Sequence, residues 1–245
     1  MHGAQFTSIF LEYLARRGAD GKTDGCQLPS LSQLSEALGV SVSQLREQVE
    51  VARAIGLIDV RPRTGIRRLP YTFFPAIKLS LTYALSLDQD YFESFADLRR
   101  HIESSYWDKA VRRLTSEDLD ELDGLIKKAF IKLNSSPVQI PHDEHRQVHL
   151  LIFSRLNNPF VSGILEAYWD AYEAVGLNTY ADYEYLVEVW NYHQQMVASI
   201  RIGDYEASYR ALIEHTELIN HRPALDKARV AATIDMESSV PPSNS

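Results

Sequence analysis

The sequence predicts a mainly α fold: a small N-terminal α+β unit, built as a helix-turn-helix with a basic hairpin, joined to an all-α antiparallel helical bundle. Three observations predict it. Between residues 27 and 69 apolar side chains recur at spacings of three and four, then give way to a short strand-like stretch and an arginine-rich turn. From Ala76 to about Arg222 almost every stretch keeps a helical period, with no convincing strand pattern. Charge is unevenly divided: residues 1–70 hold nine Lys or Arg against seven acids, and the remainder holds 16 against 26, within a total of −8. Such asymmetry fits a unit that faces nucleic acid joined to one with a different task.

The first unit begins with an amphipathic helix over Thr7 to Arg17, with Ile9, Phe10, Tyr13 and Leu14 inward. Gly18 to Cys26 is polar and glycine-rich, so a loop is expected. Leu31, Leu34, Leu38, Val40, Leu45, Val49, Ala52 and Ile55 then make one helical stripe, broken at Gly39. A glycine free to take positive φ, the apolar Val40 and the capping hydroxyl of Ser41 are what a tight helix-turn-helix needs. The second helix therefore starts near Ser41, and its first turn exposes Ser41, Val42, Ser43 and Gln44, with Arg46 slightly further on. In a helix-turn-helix that turn meets base edges in the major groove. Leu57 to Val60 reads as a short strand, and Arg61, Pro62, Arg63, Thr64, Gly65, Ile66, Arg67 and Arg68 as a wing whose arginines lie along phosphates. The plainer reading is a small helical bundle with a solvated basic hairpin. Pro70 to Pro75 is a connector, and the first domain is expected to span residues 1–75.

The second domain is expected over residues 76–223. Its helices run Ala76–Leu87, Tyr91–Leu114, Ser116–Asn134, Asp143–Leu156, Pro159–Gly176, Ala181–Ile202 and Asp204–Arg222. Thr115-Ser116-Glu117-Asp118 offers a cap hydroxyl and first-turn acids, Pro141 suits a first helical position, and Gly203-Asp204 gives a break and a fresh cap. Residues 224–245 lose periodicity and end in small polar residues and prolines, so a disordered tail is expected. No apolar run is long enough to span a bilayer, and the N-terminus lacks the order of a signal peptide, so a cytoplasmic protein without a membrane partner is expected. The single cysteine, Cys26, excludes an internal disulfide and a multi-cysteine metal site.

The bundle's chemistry lies in its histidines. His145 and His149 are four apart and share a helix face. His193 and His215 flank the Gly203-Asp204 turn by ten and eleven residues, which sets them at one height on antiparallel helices. Two imidazole pairs meeting in one bundle would suit Zn²⁺, Ni²⁺ or a similar borderline ion. The alternative is that they are ordinary hydrogen-bonded core or surface histidines.

Specific motifs strengthen both readings. Leu28-Pro29-Ser30, Leu34, Leu38-Gly39-Val40-Ser41, Leu45-Arg46-Glu47, Gly56-Leu57-Ile58 and Gly65 resemble the winged helix of the GntR family of bacterial transcription factors. Ser32 and Val42 depart from that pattern, standing where the family commonly has arginines, so operator preferences do not transfer from relatives. Val42 is instead suited to a thymine methyl. The run Ala96 to Glu103, the segment His145 to Pro159, Trp190 to His193, Gly203-Asp204, Ala207 and His215 resemble the effector-binding FCD domain of FadR-type members. That resemblance implies metal ligands at His149, His193 and His215, with His145 standing where metal-binding members carry an aspartate. The substitution leaves the site without an anionic ligand. It favours borderline metals over manganese and strengthens the hold on an anionic effector. The resemblance also implies effector contacts from Arg99, which otherwise pairs with Asp97 or Glu103 on the surface, and from Asn158, which otherwise caps a helix.

The function implied is a ligand-responsive transcriptional regulator, a repressor acting as a homodimer. It would bind a double-stranded DNA operator through Ser41, Ser43, Gln44, Arg46, Arg61, Arg63, Thr64, Gly65 and Arg67. Its bundle would hold a divalent metal ion, Zn in first place with Ni or another transition metal as alternatives, and a small carboxylate or sugar-acid effector. Two readings of other classes are a metal-dependent hydrolytic enzyme built on the bundle and a protein-interaction module. Against the enzyme, no paired glutamate lies at motif spacing beside the histidines, and four protein ligands close a tetrahedral site to a catalytic water.

Overall fold

A computed structural model describes residues 8–19, 26–177 and 182–218. Of the loop expected at residues 18–26, Gly18 and Ala19 instead belong to the first helix, Ile9–Ala19, while residues 20–25 and the tail at residues 224–245 lie outside the described residues. The chain divides into two compact units between Tyr83 and Ala84. That division falls inside a helix, Phe74–Leu87.

The first unit opens with α1 (Ile9–Ala19), α2 (Leu31–Leu38) and α3 (Val42–Ala54), then β1 (Ile58–Arg61) and β2 (Gly65–Arg68). Two reciprocal caps set the helix-turn-helix. Ser30 and Gln33 close the start of α2, and Ser41 and Gln44 close the start of α3, each pair satisfying two backbone donors that a helix start leaves open. Between them Gly39 takes φ +67, the left-handed conformation that ends α2. The stripe read from the sequence supplies the core: Leu34, Leu45 and Ala52 are fully buried with Phe10, Ile58 and Ile66 beside them. Gln48 ties α3 to the start of α1, its Oε1 accepting from the Phe10 amide and the Ser8 hydroxyl at 2.9 Å each.

The wing is an antiparallel pair in the register Ile58↔Arg68, Val60↔Ile66 and Arg61↔Gly65. A three-residue loop, Pro62 to Thr64, joins its strands. Arg63 at φ 68 and Gly65 at φ 77 take the left-handed turns that so short a loop requires. Gln27 bridges to Arg67, and the Leu28 amide donates to the Ile66 carbonyl at 2.8 Å, so the strand β2 is paired on its second edge too.

The second unit follows with α5 (Tyr91–Val111), α6 (Ser116–Leu133), α7 (His142–Phe153), a 3₁₀ turn (Ser154–Leu156), α8 (Pro159–Ala174), α9 (Tyr183–Arg201) and α10 (Tyr205–Glu217); α4 is Phe74–Leu87. Thr115 caps α6 in a box with Asp118, whose carboxylate also takes Arg155 at 2.8 and 2.9 Å. Pro141 stands one residue before α7, outside its first turn, and Pro159 fills the first position of α8. Gly203 at φ 79 and the Asp204 cap fold α10 back along α9. The core runs through Trp107, Leu122, Val148, Ile152, Trp190, Met196 and Leu212, and the Trp107 indole N–H donates to the buried Ser208 hydroxyl at 3.0 Å.

Two glycines separate conformational strain from steric strain. A Cβ at Gly39 meets nothing within 4 Å, whereas at Gly56, φ +76, it meets the Pro75 ring at 2.5 Å. Gly39→Ala is expected to cost about 1–2 kcal/mol from backbone strain alone. Gly56→Ala adds an overpacking cost of about 1–3 kcal/mol. Urea midpoints of the two variants check the order, and equal losses would contradict it.

Candidate metal centre and nucleic-acid interface

Four imidazoles converge inside the second unit. His145 and His149 leave α7 one turn apart, His193 comes from α9, and His215 from the last turn of α10. One nitrogen of each lies within 4.8 Å of the others. Ring centroids range from 4.3 Å for His193–His215 to 5.5 Å for His145–His215. The helix spacing and the Gly203 turn cause this: i, i+4 puts one pair on a face, and equal distance from the turn puts the other pair level.

The hydrogen bonds assign the tautomers. His193 Nδ1 lies 2.8 Å from the Val189 carbonyl oxygen, and His149 Nδ1 lies 3.0 Å from Glu103 Oε1. Both partners only accept, so both Nδ1 atoms carry the proton and both Nε2 atoms turn a lone pair inward. Those two lone pairs face each other at 3.1 Å. Two nitrogens bound at about 2.1 Å to one ion stand about 3.0–3.4 Å apart. Nε2 of His145 and Nδ1 of His215 are buried with no hydrogen-bond partner. Orphaned polar atoms of this kind cost about 1–3 kcal/mol each in a protein interior. Inward lone pairs, unpartnered nitrogens and a borderline donor set all fit a divalent transition metal held by His145, His149, His193 and His215.

An ion pair lies against this cluster. Glu103, fully buried on α5, faces His149 through one oxygen and Arg99 Nε through the other at 2.9 Å. The latter is a close charge contact without hydrogen-bond alignment. Arg99 Nη2 is 2.9 Å from His149 Nδ1 and 3.2 Å from Nε2. An atom near both nitrogens at once sits over the ring face. The same guanidinium lies 4.4 Å from the Tyr168 ring centre and 5.7 Å from that of Trp169. Arg99 is therefore not a surface arginine: only 5% of it is exposed, and its partner is Glu103, not Asp97. Burial pushes the Glu103 carboxyl up, but Arg99 and His149 outweigh it and leave it below its ordinary range.

Asn158 caps α8, its Oδ1 accepting from the amides of Phe160 and Val161 at 3.0 and 3.4 Å. Of the residues close to the cluster in sequence, Asp143 is exposed, and His142 stacks on Tyr172 and meets Glu173 at 2.9 Å. Glu103 and Trp169, whose indole stands edge-on to His145 with centroids 4.7 Å apart, were not singled out by motif spacing. A signal for Glu103 existed: Phe92, Ala96, Arg99, Glu103 and Trp107 form one stripe on α5, so two charges sit on its core face.

In the first unit Ser41, Ser43, Gln44 and Arg46 are exposed along the start of α3, and Arg61, Arg63, Thr64, Gly65 and Arg67 along the wing. Gln44 Oε1 accepts from the Ser41 amide and hydroxyl, so its NH₂ group is the part left for a partner. Arg61 pairs with Asp59 at 2.6 Å, and the Thr64 carbonyl accepts from Gln27.

A winged reading head followed by a helical bundle with a polar, metal-ready interior defines a protein that senses a small molecule and answers on nucleic acid. The chain belongs to the family defined by the FCD domain, which matches residues 94–218, and with the winged helix in front it has the architecture of a GntR-type transcriptional regulator. It is 24% identical over 213 residues to the uncharacterized HTH-type transcriptional regulator YieP of Escherichia coli K12, covering 83% of this chain and 89% of that one. Its fold is similar to that of Streptococcus agalactiae GntR, with a TM-score of 0.64 at 18% identity over 86% of this chain and 95% of that one. No helix among the described residues is long and apolar enough to cross a membrane.

Burial, then mutual repulsion and the nearby Arg99, hold His145, His193 and His215 well below 6.5. The unfolded imidazoles take up protons as pH falls below 6.5 while the folded ones stay neutral, so the unfolded state binds more protons there. Their contribution to stability is complete above that pH and is lost as pH falls toward the folded values. The melting temperature of metal-free protein should therefore drop from about pH 7 to pH 5. A pH-independent melt across that window would contradict buried, neutral imidazoles.

Proposed function

We propose that this regulator represses transcription as a homodimer and that an anionic effector, a small carboxylate or sugar acid, changes its operator affinity from a divalent metal site in the bundle. The observation that carries the reading is the convergence of His145, His149, His193 and His215 on one point. Their borderline nitrogen donors favour Zn²⁺, with Ni²⁺ next. A bound ion would supply positive charge at the centre, which would attract an effector carboxylate held beside it. His193 and His149 keep Nε2 free for it by donating Nδ1–H to Val189 and Glu103. Trp169 and Trp190, each about 1% exposed, close the walls and exclude water. Arg99, lying over His149, would offer its guanidinium to an anion at the centre.

On the DNA side, exposed Ser43, Arg46 and the free NH₂ of Gln44 offer donors to base edges or phosphates. Val42, 36% exposed, offers an apolar contact. Arg63 and Arg67 extend the phosphate footprint along the wing. Dimerisation is supported by α4, which has one charged residue, Lys78, and one buried residue, Leu81, while Leu79, Tyr83 and Leu87 are more than half exposed. A helix so apolar is ordinarily covered. Effector binding acts by favouring one of two conformations with unequal operator affinity.

Two measurements test this. His149→Ala and His193→Ala should abolish stoichiometric zinc in the purified protein, and unchanged metal content by elemental analysis would show that the cluster holds no ion. Binding to the fragment upstream of its own gene should weaken steeply with salt. Arg63→Ala should lower the slope of log affinity against log salt by about 1, without changing which sequence is preferred. An unaltered slope would remove Arg63 from the phosphate contacts.

A further inference from the structure

We propose that Glu103 supplies the negative charge that the four-histidine centre lacks among its own ligands, acting through His149 as a positioning residue. The inference rests on the metal reading above. Four imidazoles are neutral donors, so an ion held by them alone would keep its double charge in the interior, with the Arg99 cation beside it. Such a charge needs a counter-ion out of water. Three acids among the described residues are buried: Glu103, Asp118 and Glu144. Asp118 is taken by Arg155, and Glu144 by Lys132 at 2.7 Å. Glu103 is the one whose oxygen meets a ring of the cluster, at 3.0 Å from His149 Nδ1.

The geometry assigns the route. Glu103 receives the Nδ1–H of His149 on the side of the ring away from Nε2, and Nε2 is the atom that faces His193. A carboxylate on the outer nitrogen makes the inner one more basic and holds the ring in the binding tautomer. Arg99 Nε, 2.9 Å from the second oxygen, fixes the carboxylate in that place. His145 stands one helical turn from His149 on α7 and reaches the same centre, so a carboxylate put there would do directly what Glu103 does at one remove. The alternative, that Glu103 exists only to neutralise Arg99, predicts no link between Glu103 and the identity of residue 145.

The test is zinc affinity of the full chain, by competition with a chromophoric chelator, in wild type, Glu103→Gln, His145→Asp and the double variant. Glu103→Gln should weaken zinc about 10–100-fold. Adding His145→Asp to it should recover most of that loss, while His145→Asp in the wild-type background changes affinity far less. Equal affinity in Glu103→Gln, or an identical effect of His145→Asp in both backgrounds, overturns the proposal while leaving the metal site standing. Wild-type protein that takes up no zinc overturns the metal reading and this inference together. Should Glu103→Gln fail to fold, ¹⁵N-histidine spectra of zinc-loaded wild type decide. The His149 Nδ1–H should resonate downfield of the His193 Nδ1–H, which donates to a carbonyl. A His149 proton at or upfield of that reference overturns the carboxylate contact.

Discussion

Taking several polar rings and an ion pair out of water together is the constraint on which the second unit depends. His149, His193 and Glu103 are fully buried, and Arg99 and His215 nearly so, in a bundle whose interior is otherwise mostly apolar. Each buried polar atom needs a partner inside the protein. Part of the demand is met by protein: Val189 accepts from His193, Glu103 from His149, and Tyr168 and Trp169 offer π faces to Arg99. Nε2 of His145 and Nδ1 of His215 are left over. A single ion at the centre would satisfy those nitrogens and the two facing lone pairs at once, which ties the site's chemistry to the bundle's stability.

The reading head is governed by a different economy. Its helix starts are closed by side chains that also lie on the surface offered to DNA. Gln44 and Ser41 cap α3, so the groups that hold the helix in shape are also the groups proposed to face DNA. The cap would restrict what Gln44 could read: an amide whose oxygen is occupied can only donate, and a donor recognises acceptors on purine and thymine edges. The wing pays for its sharp loop with Arg63 in the left-handed region, and that arginine is thereby held at the tip.

Much of this could be read from residue order because the physics involved is local. Helical period, cap hydroxyls and the positive-φ glycines at residues 39 and 203 act within a few positions, so the helix-turn-helix, the wing and the α9–α10 turn were visible in the chain. The four histidines belong in the same group, since two short-range rules, i, i+4 spacing and equal distance from a turn, fix their heights. Helix ends were less visible: α4 begins at Phe74, two residues before the expected start, because backbone hydrogen bonding continues where the apolar pattern is ambiguous.

The sequence by itself determined the class of fold, the reading head and the set of four imidazoles, since each follows from periodicity and spacing along one stretch of chain. Only the tertiary structure decided that Arg99 turns inward, that Glu103 and not Asp97 receives it, and that Glu103 then reaches His149. That contact joins residues 46 positions apart, and its direction depends on which face of α5 meets α7. A lone arginine and glutamate four apart on a helix look the same in sequence whether water or a core surrounds them. Burial, which tells the two cases apart, is a property of the packed helices.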